Sequence, residues 1–368
     1  MNPINPFAPQ KLVELDGRVG EGGGLKAQHI SSLQYLAEAT AAELTGCSVG
    51  SSSFEFRPKL PPANLVNRNI KIKAESAASI LLVFQSIFPF LLFAGDDNGS
   101  PITITIQGGT NVSFSLSFEY LDQVLLPALE RFGIRVMRKL ELRGWSHGSR
   151  ELGSIKFQFV PLPVGQTLNA PDWPTERGTI NEIVISIIVP KHVISTLRNT
   201  LLSKINLVFP GAESYFQVVE DSRHDARLYT LLVAHTSTGL RFGSDWLYDC
   251  KSKGKTPAEL STEIAQKVVR DLQIVLEKGG VVDEYLQDQL VIFQALADGR
   301  SSIPETSDAL SSEKMRVDRT DEPFGGGSTH TTTARWAASN LLPRAKWFDN
   351  GRISEGVGWR TSQTIPFN

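Results

Sequence analysis

Apolar and polar residues alternate along this chain in two rhythms, and each change of rhythm marks an element. Runs that alternate with period two and end in glycine recur as LVELDG (12–17), ITITIQGG (102–109) and IRVMRKLELRG (134–144), which predicts strands closed by tight turns. Apolar positions near 3.6 spacing predict helices over 29–44, 77–94 and 120–132. Strand and helix alternate, so this part of the chain is expected to be an α/β (α+β) protein of repeated β-α units.

A second region opens at EIVISIIVP (182–190), a strand, and continues through a helix over 192–205 and strands at YFQVV (215–219) and YTLLVAH (229–235). It closes on a helix over 258–278, whose apolar face is read as Leu260, Ile264, Val268, Leu272 and Ile274, with Gly279 and Gly280 ending it. Residues 178–280 are therefore expected to form an inserted α/β domain, set into a discontinuous core of residues 1–177 and 281–368. The polar, Gly-rich stretch 301–327 reads as a mobile surface loop, with a helix expected over 334–342.

Composition narrows the function classes. With 368 residues, 41% hydrophobic and 21% charged, the chain can bury a large core. The apolar run AASILLVFQSIFPFLLFA (77–94) has the length of a membrane span. Gln85 at its centre, Pro89 inside it and the lack of a Lys or Arg cluster at its C-terminal end favour a helix buried in a protein core. Cys47 and Cys250, the only cysteines, lack CxxC spacing, which argues against zinc and dithiol chemistry and for reduced thiols. The first residues, MNPINPFAPQ, lack the pattern of a signal peptide, so an intracellular protein is expected. A net charge of -2 supplies no global attraction to nucleic acid, so any RNA contact must come from local Lys and Arg clusters.

Candidate chemistry is sparse. The turn Gly20-Glu21-Gly22-Gly23-Gly24 could bring backbone N–H groups to a phosphate or be a turn alone, and it fits neither GxGxxG nor a P-loop. Gly254-Lys255-Thr256 imitates a P-loop end, but Asp249 stands where the first glycine is needed. The six histidines form neither HxxxH nor HExxH. His330 lies in the hydroxyl-rich strip Ser328-Thr329-His330-Thr331-Thr332-Thr333, where hydroxyls and helix-terminal N–H groups could hold a phosphate beside the imidazole; helix capping beside an exposed histidine is the alternative. In the helix opened by DEYLQDQL (283–290), spacing puts Tyr285, Asp288 and Gln289 on one face. An aromatic, a carboxylate and an amide together suit a nucleoside, and the macrodipole alone also explains acidic residues at a helix start.

Taken in order, LDGRVGEGGG (15–24), the Gln85 helix, IQGGTN (106–111), LRGWSHG (142–148), VVDEYLQDQLVIFQALADG (281–299) and STHTTTARW (328–336) resemble the RNA 3′-terminal phosphate cyclase family, in its eukaryotic, cyclase-type branch. The resemblance implies a core of β-α units like the C-terminal domain of bacterial initiation factor 3, with a smaller inserted α/β domain. It implies ATP and Mg²⁺ (or Mn²⁺) as cofactors and an RNA 3′-phosphate end as substrate, closed to a 2′,3′-cyclic phosphate through a covalent histidine-AMP adduct and an RNA-adenylate. The family's nucleophile falls on His330, its adenylate contacts on Gln85, Tyr285, Asp288 and Gln289, and its metal-associated glutamate on Glu21. A nuclear setting is implied, with neither DNA nor a membrane as partner.

The chain also departs from the family. Trp145-Ser146-His147-Gly148-Ser149-Arg150 replaces a Gly-rich stretch, Leu116 replaces a proline, and a helix with a basic strand-loop segment is missing between Gly24 and Leu25. The competing reading is a non-enzymatic relative in ribosomal RNA processing. His330 and an intact DEYLQDQL favour the enzyme.

Overall fold

The computed structural model describes residues 10–12, 23–74, 78–148, 151–303, 317–320 and 324–361. They form a mixed α/β protein of two compact units, the first built from 1–117, 135–168 and 358–368, the second from 118–134 and 169–357. Residues 178–280 lie inside the second unit, together with 118–134 and 281–357.

In the first unit, β1 (Gln10–Leu12), β2 (Glu43–Thr45) and β3 (Phe54–Arg57) make a small antiparallel sheet in the order β1-β3-β2. Helix α1 (Ala27–Thr40) ends four residues before the expected 29–44, and the chain turns at Ala41, which is left-handed, into β2. Where the family segment is missing, Gly24 and Leu25 run directly into α1, and Leu25 N–H donates to Ser51 O at 2.9 Å while Gly50 N–H donates to Leu25 O at 2.8 Å. The small sheet stays thinly covered: Leu44, Phe54 and Phe56 are only half-buried.

A larger sheet carries this unit's core. Strands β4 (Asn69–Lys73), β5 (Ile102–Gly108), β6 (Met137–Leu142) and β7 (Gly153–Phe159) pair in the order β4-β5-β7-β6, with β4 parallel to β5 and the other pairs antiparallel. One face is apolar, from Ile70, Ile72, Ile102, Ile104, Ile106, Ile155, Phe157 and Phe159, all buried. Helix α2 (Ile80–Leu92) lies on it, stacking Phe84 on Phe157 with ring centroids 4.1 Å apart and setting Phe88 edge-on to Phe159. Thus the apolar run holds a core helix over Ile80–Leu92, and Pro89 sits inside it without ending it. Among the described residues no helix is long and apolar enough to cross a membrane.

In the second unit, the stretch 120–132 is not a plain helix. Helix α3 is α-helical over Phe118–Tyr120, π over Leu121–Leu125 and α again over Leu126–Glu130. Pro127 has no N–H for the Gln123 carbonyl four residues back, and Arg241 Nη1 donates to that carbonyl at 3.0 Å instead. Strands β8 (Ile180–Val189), β9 (Glu213–Asp221), β10 (Tyr229–Thr236) and β11 (Arg241–Leu247) form a sheet in the order β11-β10-β8-β9, β8 and β9 parallel. Residues 183–189 of β8 are buried without interruption, which explains the continuous apolar run.

Helices α4 (Lys191–Val208) and α5 (Pro257–Glu277) pack on each other and on this sheet. The buried stripe of α5 runs Leu260, Ile264, Val268, Leu272, Leu276, while Ile274 is 44% exposed. The expected Ile274 is therefore replaced by Leu276, because steps of four stay on one helical face and a step of two does not. Thr256 caps α5 in a reciprocal pair with Glu259, and Lys255 binds Glu263 and the Tyr248 hydroxyl, so Gly254-Lys255-Thr256 is a helix start. Helices α6 (Glu284–Leu296) and α7 (Thr329–Leu341) pack together beside a three-stranded sheet of β12 (Arg300–Ser302), β13 (Lys346–Phe348) and β14 (Ile353–Glu355). The start of the expected 301–327 loop is thus strand, and 304–316 and 321–323 lie outside the described residues.

Candidate active site

Helix α6 begins on a buried acid. Asp283 is its N-cap and accepts from Leu286 N–H at 2.8 Å, from the Tyr120 hydroxyl of α3 at 2.5 Å and from Gly243 N–H of β11 at 3.0 Å. Burial pushes its carboxyl above the ordinary range, against the pull of those hydrogen bonds. Burial, then the adjacent Asp283, holds the Tyr120 phenol well above its usual value, so it stays a donor. Gly243 is required by this packing, since a Cβ there would lie 2.6 Å from the Tyr120 ring. Asp283 therefore orients α6 and has no free lone pair facing solvent.

The next turn faces outward. Tyr285 is 57% exposed, while Asp288 and Gln289 are half-buried, and Gln289 Nε2 donates to Asp288 Oδ1 at 2.8 Å. Burial raises the Tyr285 phenol, with Asp245 next in effect. Burial also raises the Asp288 carboxyl, while the Gln289 hydrogen bond and the positive charge that His330 can carry pull it down. Asp288 and His330 are thus within electrostatic reach of each other.

His330 arrives from α7. The helix was expected over 334–342 but starts at Thr329, so His330 sits in its first turn rather than before it. The cause is Ser328, whose Oγ accepts from Thr331 N–H at 3.1 Å and caps the helix ahead of the threonines. His330 and Thr329 are exposed, and the first-turn N–H groups beside them have no partner within the helix ladder itself, which favours an anion there. Gly327 brings the loop against α6: its φ is +114° and a Cβ would meet Gln287 Oε1 at 2.7 Å.

Arg335, one turn further along α7, is 2% exposed and holds this loop by donating to Gly326 O at 2.6 Å and Gly351 O at 3.2 Å. Neither Arg335 nor the Tyr120–Asp283 link was anticipated. Asp283 was legible as an acid at a helix start, whereas nothing local marks Arg335.

The remaining site residues divide by unit. Tyr285, Asp288 and Gln289 on α6 and His330 on α7 all belong to the second unit, and the two helices pack on each other. Gln85, half-buried on α2, belongs to the first, and Glu21 lies outside the described residues. In the first unit the IQGGTN and LRGW segments interlock. Thr110 and Asn111 N–H donate to Gly144 O at 2.9 and 3.0 Å, and a Cβ on Gly144 would stand 2.2 Å from Gly108 O. His147 Nε2 lies 3.1 Å from Ser113 Oγ in the stretch that departs from the family, and Leu116 is half-buried nearby in sequence. Among the described residues no group of three His, Cys, Asp or Glu side chains is placed to hold a metal ion. Cys47 and Cys250 are free.

An exposed imidazole at a helix start, a half-buried carboxylate within its electrostatic reach and an exposed aromatic on the adjoining helix form a surface suited to a nucleotide. Comparison with known proteins places the chain in a family. A family model described as RNA 3′-terminal phosphate cyclase matches residues 16–342. The chain is 27% identical over 328 residues to the RNA 3′-terminal phosphate cyclase of Drosophila melanogaster, covering 80% of this chain and 86% of that one. It is 28% identical to the proteins of that name in Thermococcus sibiricus, over 307 residues (82% of each chain), and in Thermococcus kodakarensis, over 329 residues (81% of this chain, 89% of that one). With nearly nine-tenths of its length under the family model, the chain belongs to the RNA 3′-terminal phosphate cyclase family.

Proposed function

We propose that the chain catalyses ATP-dependent closure of an RNA 3′-phosphate to a 2′,3′-cyclic phosphate. The observation that carries this reading is the convergence of DEYLQDQL and STHTTT on one surface, where Asp288 lies within electrostatic reach of an exposed His330. Tyr285 offers its ring to the adenine, Asp288 and Gln289 offer polar groups to the nucleoside, and the α7 N-terminus faces the phosphates. Gln85 and Glu21 are assigned to the same nucleotide on the resemblance alone. Among the described residues no group of three His, Cys, Asp or Glu side chains is placed to hold Mg²⁺ or Mn²⁺.

A phosphate monoester resists attack by its own 2′-OH because it is anionic and its leaving group is poor, so it must be activated. The neutral imidazole of His330 attacks the α-phosphorus of ATP; a P–N bond forms and pyrophosphate departs. An oxygen of the RNA 3′-phosphate then attacks that phosphorus, releasing the imidazole and leaving an RNA-adenylate. Finally the neighbouring 2′-OH attacks the 3′-phosphorus, loses its proton and expels AMP, a step favoured because nucleophile and electrophile share one ribose. The Asp288 carboxylate, within electrostatic reach, can balance the charge the imidazole gains.

Incubating the chain with α-labelled ATP and Mg²⁺, followed by denaturing electrophoresis, tests this. The expected result is an acid-labile, base-stable label that His330→Asn abolishes. Label surviving in that variant, or mapping to His29 or His147, would refute the assignment, and no label on a folded wild-type chain would favour the non-enzymatic relative.

A milder effect is expected on α6. Tyr285→Ala and Asp288→Ala each remove a ligand contact worth about 1 to 3 kcal/mol and should raise the ATP concentration for half-maximal labelling at least several-fold, with melting temperature unchanged. Unaltered ATP dependence would reduce this segment to helix capping.

A further inference from the structure

The sheet β4-β5-β7-β6 uses only one of its faces for the core. On the other, the register aligns Lys71 with Thr105, Thr105 with Lys156 and Lys156 with Lys139, so one row across four strands reads Lys-Thr-Lys-Lys. The next row carries Lys73, Gln107 and Ser154. All four lysines and Gln107 are exposed, and among the described residues none of the four lysines makes an ion pair. Glu141 is the one carboxylate among the outward residues of these strands, and it accepts from Ser154 Oγ at 2.8 Å. The alternation that makes NIKIK a strand is thus what aims its lysines outward.

Lysine on an edge strand has an ordinary explanation, since it discourages sheets from pairing edge to edge. That covers Lys71 and Lys73 on β4 and Lys139 on β6, the two edges, but not Lys156, which lies on an interior strand. Lys156 also stands directly opposite Lys139, a like-charged cross-strand pair that costs stability when nothing neutralises it. A chain of net charge -2 here gathers four cations on one face, and among the described residues no carboxylate pairs with them, so the face is locally positive. Neighbouring strands are about 4.8 Å apart, so the row from Lys71 to Lys139 spans about 14 Å, too long for one phosphate and suited to a run of them.

We propose that this face binds the phosphate backbone of the single-stranded RNA whose 3′ end the enzyme modifies, a statement that rests on the cyclase reading for the identity of the polyanion. The outward residues of these strands include no aromatic side chain to stack a base, so recognition is by charge and by the Thr, Gln and Ser side chains between the lysines, without base preference.

The test is fluorescence titration of the full chain with an unstructured RNA of about twenty nucleotides, bearing either a 3′-phosphate or a 3′-hydroxyl, between about 50 and 200 mM salt. The triple variant Lys71→Gln, Lys139→Gln, Lys156→Gln should bind both RNAs at least about tenfold more weakly, and its log K against log salt slope should be shallower by about 2, from three contacts at about 0.7 each. Its AMP labelling by ATP alone, which involves no RNA, should match wild type, and its melting temperature should be unchanged or raised. Unchanged affinity and slope would overturn the proposal, as would a loss confined to the 3′-phosphorylated RNA or a changed oligomeric state at constant RNA affinity. A wild-type chain that binds RNA through these lysines but forms no AMP adduct would sink the catalytic reading and leave the face standing.

Discussion

Asp283→Ala is expected to destabilise the second unit by about 3 to 7 kcal/mol, because it removes a helix cap, worth about 1, and strands two buried donors at about 1 to 3 each. Those donors are the Tyr120 hydroxyl, 2.5 Å from Oδ1, and Gly243 N–H, 3.0 Å from Oδ2, on elements far apart in the chain. Asp283→Asn should fall between the two, since its Oδ1 can still accept while its NH₂ faces a backbone N–H that cannot. The pH dependence has a definite sign. Burial holds the folded carboxyl above its unfolded range, so the native state keeps a proton that the unfolded chain releases, and stability from this group is lost as pH rises through the folded value. Urea unfolding from pH 4 upward should therefore show wild type losing more stability than Asp283→Asn. Equal profiles would show that folding leaves the carboxyl's titration unshifted, and an alanine variant within about 1 kcal/mol of wild type would show that water replaces the carboxyl there.

How far the chain can be read without coordinates varies element by element. Continuous apolar runs were legible: 182–190 is strand β8 and 77–94 contains helix α2, because full burial leaves little room for polar residues in either. Strands β12, β13 and β14 have three residues each, too few for a period to register. The start of α7 was placed late because four threonines and a histidine have modest helix propensity, and the cap at Ser328 overrides them. The π turn in α3 goes with a contact from Arg241, a residue distant in sequence that takes up a carbonyl Pro127 cannot serve.

The site divides in the same way. Tyr285, Asp288 and Gln289 sit on one helix, so spacing alone placed them on one face. The electrostatic reach between Asp288 and His330 depends on how α6 and α7 pack, which no local pattern encodes. The support for that packing is buried and long-range: Asp283 ties α6 to α3 and β11, and Gly327 lets α7's loop reach Gln287. Residue types that look catalytic by composition, such as the buried Asp283, turn out to be fully engaged by the fold.

Arg335→Met is expected to slow AMP labelling about a hundredfold at saturating ATP, the cost of misplacing a reacting group by roughly 1 Å, while half-saturation by ATP moves only a few-fold. The guanidinium reaches Gly326 O at 2.6 Å and Gly351 O at 3.2 Å, and Gly326 N–H in turn donates to Asn350 O at 2.7 Å. Together these fix the segment that leads through Gly327 to the cap at Ser328 and on to His330. Methionine has similar length but no donors, so it leaves those buried carbonyls unsatisfied and should cost about 3 to 5 kcal/mol of stability. Gly351→Ala attacks the same point from the other side, because its φ is +78° and a Cβ would lie 2.1 Å from the Arg335 guanidinium carbon. Arg335→Lys, with one ammonium where two carbonyls need a planar fork, should recover only part of the rate. Labelling is to be measured well below each variant's melting temperature, so that a lost rate reports on the position of His330 rather than on unfolded chain. A folded Arg335→Met protein that labels at the wild-type rate would show that Ser328 and the helix start hold the histidine without help from this arginine.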